Sequence, residues 1–267
     1  MRVVALALSG LIGLAAWGCG DGGESTDEAS PGETHQLEIP EETGSGEALT
    51  AQPVEGDFQG VSFDDYAESV DEILALLDEY WAETLPETLG VEYTPPDEIV
   101  AYYPEESSPK CGGEPLGPEN AFYCSGSNTI AWDEPGLMIP FYEEVGDAAV
   151  GIVLGHEWGH LIQNEVAGPE FQHTIEGELN ADCLSGTFAR ALYDEGLLEG
   201  GTDLEPGTDL AEAAEGIFLL GDAPGTPWQD PTAHGNGKQR LRALEIGFDG
   251  GVQACADELG PGFTDEV

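Results

Sequence analysis

Residues 155–160 read Gly155-His156-Glu157-Trp158-Gly159-His160, and the apolar run Ala148-Ala149-Val150-Gly151-Ile152-Val153-Leu154 leads into them. The pattern is H-E-x-x-H. On a helix, positions i and i+4 stand one turn apart on one face. His156 and His160 can therefore present two ring nitrogens to one metal ion. Glu157 is turned about 100° around the axis, beside such a metal and not on it, which suits a base acting on water. The stretch commits the chain to a buried helix with polar chemistry on one side. Two histidines packed in a helical core would explain the pentad taken alone.

A second segment argues against that plainer interpretation. Glu178-Leu179-Asn180-Ala181-Asp182 places two carboxylates at i and i+4, again on one helical face. A catalytic zinc takes three protein ligands, and two histidines with a glutamate are one standard set. Glu178 can supply the third ligand. Asp182, one turn on, can accept the N–H of a ligand histidine and fix its tautomer. One zinc ion per chain is the cofactor these residues predict.

Residues 1–18 read as an export signal: Arg2 precedes the apolar segments 3–8 and 11–16, and the stretch is too short to span a bilayer. It ends in Ala16-Trp17-Gly18-Cys19, which resembles a bacterial lipobox. That resemblance makes Cys19 a lipidated first residue of the mature protein, anchored to a membrane of the cell envelope. The alternative is a secreted protein in which Cys19 is incidental. Residues 19–60 are rich in Gly, Glu, Ser, Thr and Pro, and bury too little apolar surface to offset ordering entropy. They predict a disordered acidic tether, with His35 a bystander. Residues 61–267 form one folded domain, long enough for a substantial core.

Within that domain Phe63, Tyr66, Val70, Ile73, Leu74, Leu77 and Trp81 recur at helical spacing and predict a helix over 63–85, with Pro86 and Pro95-Pro96 punctuating the chain after it. Strands are expected over 99–103, 121–124 and 129–132, the last two joined by the turn Ser125-Gly126-Ser127-Asn128. The strand just ahead of the H-E-x-x-H helix would either offer an edge to an extended peptide or only pack. Further helices are expected over 174–193 and 209–220, and one begins at 237. The predicted class is α+β and mainly helical, with a small hairpin or sheet before the metal helix. The 221–237 loop is rich in Pro, Gly and Thr and holds His234-Gly235.

The chain carries 54 acidic and 6 basic residues for a net charge of −48. Eleven of the acids lie in 20–60, so the remainder cover the folded domain. Such a surface repels nucleic acid and anionic lipid headgroups. It also repels itself at low salt, which fits life in brine or seawater. Of five cysteines, Cys19 belongs to the lipobox, and the other four favour disulfides in an exported chain. Four cysteines allow three pairings. Cys111–Cys124 closes the loop before the hairpin and Cys183–Cys255 ties the second helix to the C-terminal region, and these two are favoured.

Cys111-Gly112, Phe122-Tyr123-Cys124, the strand ending in Asp133, His156 through Gln163, Glu178 through Cys183, and His234-Gly235 with Gln239-Arg240 succeed one another in that order. Together they resemble the bacterial family of neutral zinc metallopeptidases, over about 111–255. The resemblance implies a zincin-like peptidase domain of the gluzincin type. It makes His156, His160 and Glu178 ligands and Glu157 the catalytic base. The chain departs from the family at Glu176, where a basic residue is usual, and over 221–230.

The reaction expected is hydrolysis of a peptide or protein substrate. His234 is a candidate donor to the oxyanion, and capping of the helix that begins at 237 is its structural alternative. Arg240 is expected to pair with an acid near the site, Arg190 to make a structural ion pair, and His173 to lie at the surface. Two other functions stand beside this one: a zinc hydrolase acting on a non-peptide amide, and a surface lipoprotein with a structural or vestigial zinc site.

Overall fold

A computed structural model describes residues 62–104, 108–166, 170–200 and 204–261. The expected signal, tether and Cys19 lie outside the described residues. Among those described, no helix is long and apolar enough to cross a membrane.

Helix α1 (Phe63–Leu89) starts where the Ser62 side chain accepts from the Asp65 N–H, with Asp64 and Asp65 in the first turn, where acids favour the helix dipole. It buries Tyr66, Val70, Leu77, Trp81 and Leu85. It does not stop before Pro86 as expected. Pro86 lies in its last turn, and Gly90 ends the helix in a left-handed conformation (φ 68°). A proline removes one hydrogen bond there, a small loss so close to the terminus.

Strand β1 (Glu98–Tyr102) pairs parallel with β5 (Thr129–Asp133), and β4 (Ala121–Cys124) pairs antiparallel with it, in the order β1-β5-β4. Strands β2 (Lys110–Cys111) and β3 (Glu114–Pro115) form a separate two-residue ladder, from which Cys111 is bonded to Cys124. All five residues of β5 are buried, as a central strand requires. The strand before the metal helix is therefore not an edge. The parallel partner β1 takes the side that an added peptide would need, and the edge next to the hairpin turn is β4.

A π-helical turn (Glu134–Met138) leads into α2 (Ile139–Glu144). Its first residue, Glu134, is buried and accepts from Tyr66 Oη at 2.9 Å and Trp132 Nε1 at 2.6 Å, joining α1 to the end of the sheet. Burial pushes this carboxyl above its ordinary value. Among the described residues that follow, the helices are α3 (Asp147–Glu165), α4 (Thr174–Asp194), α5 (Asp209–Leu219) and α6 (Gly237–Glu258), the last kinked at Gly251. Helices α4 and α6 meet through glycine. A Cβ on Gly186 would run into the Leu244 carbonyl, and one on Gly247 into the Cys183 carbonyl. The Cys183–Cys255 disulfide closes the same interface.

Candidate metal centre

Helix α3 is buried from Ala148 through Gly159, so the H-E-x-x-H segment stands inside the domain. Gly155 and Gly159 face α4. A Cβ on Gly159 would lie 2.8 Å from the Ala181 carbonyl oxygen and 2.9 Å from the Ala181 Cα, and one on Gly155 would press on Ser185 Oγ. Two small residues one turn apart on each helix let the backbones approach closely. Ser185 Oγ then donates to the Ile152 carbonyl at 3.0 Å. This close crossing brings Glu178, one turn into α4, against the two histidines of α3.

Three donor atoms meet there. His156 Nε2 is 3.1 Å from Glu178 Oε2 and 3.1 Å from His160 Nε2, and His160 Nε2 is 3.4 Å from Glu178 Oε2. A tetrahedral zinc with ligand bonds of about 2.0–2.2 Å spans about 3.4 Å between neighbouring donors. The observed triangle matches one face of such a tetrahedron, and the atom types are those zinc takes. Among the described residues one other carboxylate group, Asp147 with Asp209 and Glu212, comes as close together, but it lacks nitrogen donors.

Behind His156 lies a charged pair. Asp182 Oδ1 is 2.6 Å from His156 Nδ1, and Arg240 binds both oxygens of the carboxylate, Nε to Oδ2 at 2.9 Å and Nη2 to Oδ1 at 2.7 Å. Arg240 Nη1 donates to the Leu220 carbonyl at 2.9 Å. All three side chains are buried. Burial would raise the Asp182 carboxyl, but the Arg240 charge and His156 hold it below its ordinary value. An ionised Asp182 accepts only, so His156 keeps its hydrogen on Nδ1 and turns the Nε2 lone pair to the triangle.

The charges around the triangle act on one another. Burial pulls His156 down, but the charge and hydrogen bonds of Asp182 and that of Glu178 outweigh it and push it up to about 10. Burial would raise Glu178 too, yet the hydrogen bonds from both histidines hold it well below its ordinary value. Positive charge is thus favoured on the imidazoles, and a divalent metal would compete with protons for the same lone pairs. Glu157 is buried, and that burial pushes its carboxyl above its ordinary value.

His156, Glu157, His234 and Arg240 share a cavity of about 140 Å³ with Asn120 and Ala121, at the start of edge strand β4. A second cavity of equal volume, lined by Ile73, Leu76 and Phe188 among others, shares no residue with it. His234 Nε2 is 3.8 Å from Glu178 Oε2 and its side chain is half exposed. The helix-capping alternative for His234 fails. Asn236 caps α6, accepting from the Lys238 and Gln239 N–H groups, and the Gln239 side chain answers by accepting from the Asn236 N–H. His234 and Gly235 donate their backbone N–H groups to Asp222 Oδ2 at 2.9 and 2.8 Å.

The remaining candidates lie away from the triangle. Arg190 pairs with Asp194 at 2.9 Å and lies over the Phe248 ring. His173 precedes α4 and packs edge-on against Trp228. Glu176 is buried and its Oε2 accepts from the Gln172 N–H at 2.9 Å. Sequence reasoning missed Asp222 as the anchor of the His234 loop and gave Gln163 no role. Gln163 lies three residues after His160, on the same helical face, and that spacing was the available signal. Nothing in the spacing singles out Asp222.

The family model described as "Putative neutral zinc metallopeptidase" matches residues 41–259. The chain is 27% identical over 237 residues to "Uncharacterized protein YpfJ" of Escherichia coli strain K12, which covers 79% of each chain. A protein of the same name in Escherichia coli O6:H1 matches with the same identity and coverage. No solved structure matches the chain.

Proposed function

This chain belongs to the neutral zinc metallopeptidase family, and on that premise we propose that it hydrolyses peptide bonds at a zinc ion held by His156, His160 and Glu178. The observation that carries the proposal is the donor triangle with 3.1–3.4 Å edges, together with a buried carboxylate, Glu157, that lines one cavity with His156. When bound, zinc supplies a Lewis acid that polarises a scissile carbonyl and lowers the pKa of water to about 7.

The chain's own residues do the rest. Glu157 takes the proton of the attacking water on its carboxylate and returns it to the nitrogen of the leaving amine. Its place supports that role, because it is buried and lines one cavity with His156. Asp182 and Arg240 keep His156 in one tautomer. His234 Nε2 stands near Glu178 on a loop fixed by Asp222, from where it can donate to the oxygen on which negative charge develops. Ala121, at the head of β4, lines the cavity, so β4 takes over from β5 the part of pairing an extended substrate.

A structural zinc site takes four protein ligands, whereas the described cluster has three. This favours catalysis over a structural site. Peptides and other amides share the same chemistry, and substrate profiling separates them. Export and lipidation at Cys19 rest on residues 1–19 alone. They predict that the protein partitions into detergent with membranes and that Cys19→Ser releases it. The metal reading is tested by metal analysis of purified protein. One zinc per chain is expected, lost in His160→Ala and in Glu178→Ala. Full retention in Glu178→Ala would overturn the ligand set. Asp182 would then be the next candidate ligand.

A further inference from the structure

The two histidines of the triangle are held from behind by different devices. His156 leans on the charged Asp182–Arg240 pair. His160 has no carboxylate at its Nδ1. The neighbour there is Gln163 Oε1, at 3.0 Å. Gln163 Nε2 donates in turn to the Gly177 carbonyl at 2.7 Å and to Asn180 Oδ1 at 3.0 Å. Asn180 is buried, and its Nδ2 donates to the carbonyls of Cys255 and Leu259, both at 3.1 Å. Those two carbonyls belong to the last turn of α6 and its C-terminal cap.

The direction of this chain is fixed by backbone carbonyls, at Gly177 beside Gln163 and at Cys255 and Leu259 beyond Asn180. A backbone carbonyl only accepts, so Asn180 must turn its amide nitrogen to Cys255 and Leu259 and its oxygen to Gln163. Gln163 must then turn its own nitrogen to Asn180 and Gly177 and its oxygen to His160. An amide oxygen only accepts, so His160 carries its hydrogen on Nδ1 and leaves the Nε2 lone pair facing Glu178 and His156. Both hydrogens of each amide are used and no flipped arrangement satisfies the same partners. A neutral relay also adds no further negative charge beside Glu157, Glu178 and Asp182.

We propose that Gln163 and Asn180 are positioning residues that hold His160 in its metal-binding tautomer and orientation by anchoring it to the last turn of α6. The anchor is itself cross-linked, since Cys255 is bonded to Cys183, three residues from Asn180 on α4. The proposal rests on the metal reading of the site given above. Loss of such a partner behind a ligand histidine typically weakens metal binding by about 10–100-fold.

The test is zinc affinity, measured by competition with a chelator on purified protein, for wild type, Gln163→Leu, Asn180→Ala and the double variant. Thermal melts in excess chelator report folding separately. Each single variant should bind zinc about 10–100-fold more weakly. The double variant should be no weaker than Gln163→Leu, because the two amides act in series. Wild-type affinity in Asn180→Ala, or losses that multiply in the double variant, would overturn the relay. Should Asn180→Ala fail to fold, Asn180→Leu keeps the bulk, can neither accept from Gln163 nor donate to the two carbonyls, and should show the same weakening. A wild-type protein that binds no zinc would overturn the metal reading and the relay with it, whereas bound zinc with unchanged variants overturns the relay alone.

Discussion

Arg240 grips Asp182 through two guanidinium nitrogens, Nε at 2.9 Å and Nη2 at 2.7 Å, 58 residues apart in sequence and wholly within the core. One of the chain's six basic residues is thus spent inside a protein of net charge −48, as the counter-ion of the group that orients His156. Removing one partner of a buried pair leaves an uncompensated charge and costs about 3–5 kcal/mol. Arg240→Met should lower unfolding free energy by that amount in urea titration of zinc-free protein. A change below about 1 kcal/mol would mean that His156 alone suffices to stabilise Asp182.

Gly159 sets how closely α3 and α4 approach, since its missing Cβ would meet Ala181 at 2.8–2.9 Å. Gly159→Ala must part the helices or strain them, at a cost of about 1–3 kcal/mol. Because Glu178 rides on α4 and both histidines on α3, parting them also widens the donor triangle. Denaturation and zinc titration should both worsen, with zinc affinity falling at least about tenfold. Destabilisation with unaltered zinc affinity would show that the crossing is not what positions Glu178.

The two disulfides close loops of very different size, 13 and 72 residues. Loop-closure entropy makes the longer one worth more, by about 1–2 kcal/mol on the chain-entropy account. Replacing Cys183 and Cys255 together by Ala should therefore depress the melting temperature further than replacing Cys111 and Cys124. The reverse order, measured by calorimetry, would contradict this.

Glu212 is pushed up to about 7, by partial burial first and then by Asp147, Asp209 and Glu215. The folded state holds its proton more tightly than the unfolded chain. Its stabilising contribution is therefore complete below about pH 4.5 and is lost as pH rises through about 7. Glu212→Gln keeps an oxygen for the Ala148 N–H that the carboxylate accepts. The variant should melt higher than wild type at pH 8 and lose the advantage near pH 5. Parallel melting curves across that window would refute the shift.

Much of the centre was legible in the sequence because it obeys helical periodicity. His156, His160, Glu178 and Asp182 lie at i, i+4 spacings on two helices, and that spacing alone puts each pair on one face. The α1 limit was misjudged because a proline in a last turn breaks little. The place of β5 could not be read, because its parallel partner β1 is about thirty residues away and parallel pairing leaves no turn signal between strands. Arg240 was expected to pair near the site, but its partner is set by tertiary packing of α6 on α4. Asn180 passed as part of a motif because its acceptors are backbone carbonyls 75 and 79 residues on.

The central claim is that Glu157 moves the proton while His156, His160 and Glu178 hold the metal. The direct measurement is peptide-library cleavage at neutral pH by zinc-loaded wild type and Glu157→Gln, with zinc content determined on both. Glutamine keeps the size and hydrogen bonding of the side chain but cannot accept the proton. The predicted result is equal zinc and folding, with cleavage slower by about 10²–10⁴-fold in the variant. Equal cleavage rates at equal zinc content would contradict the account.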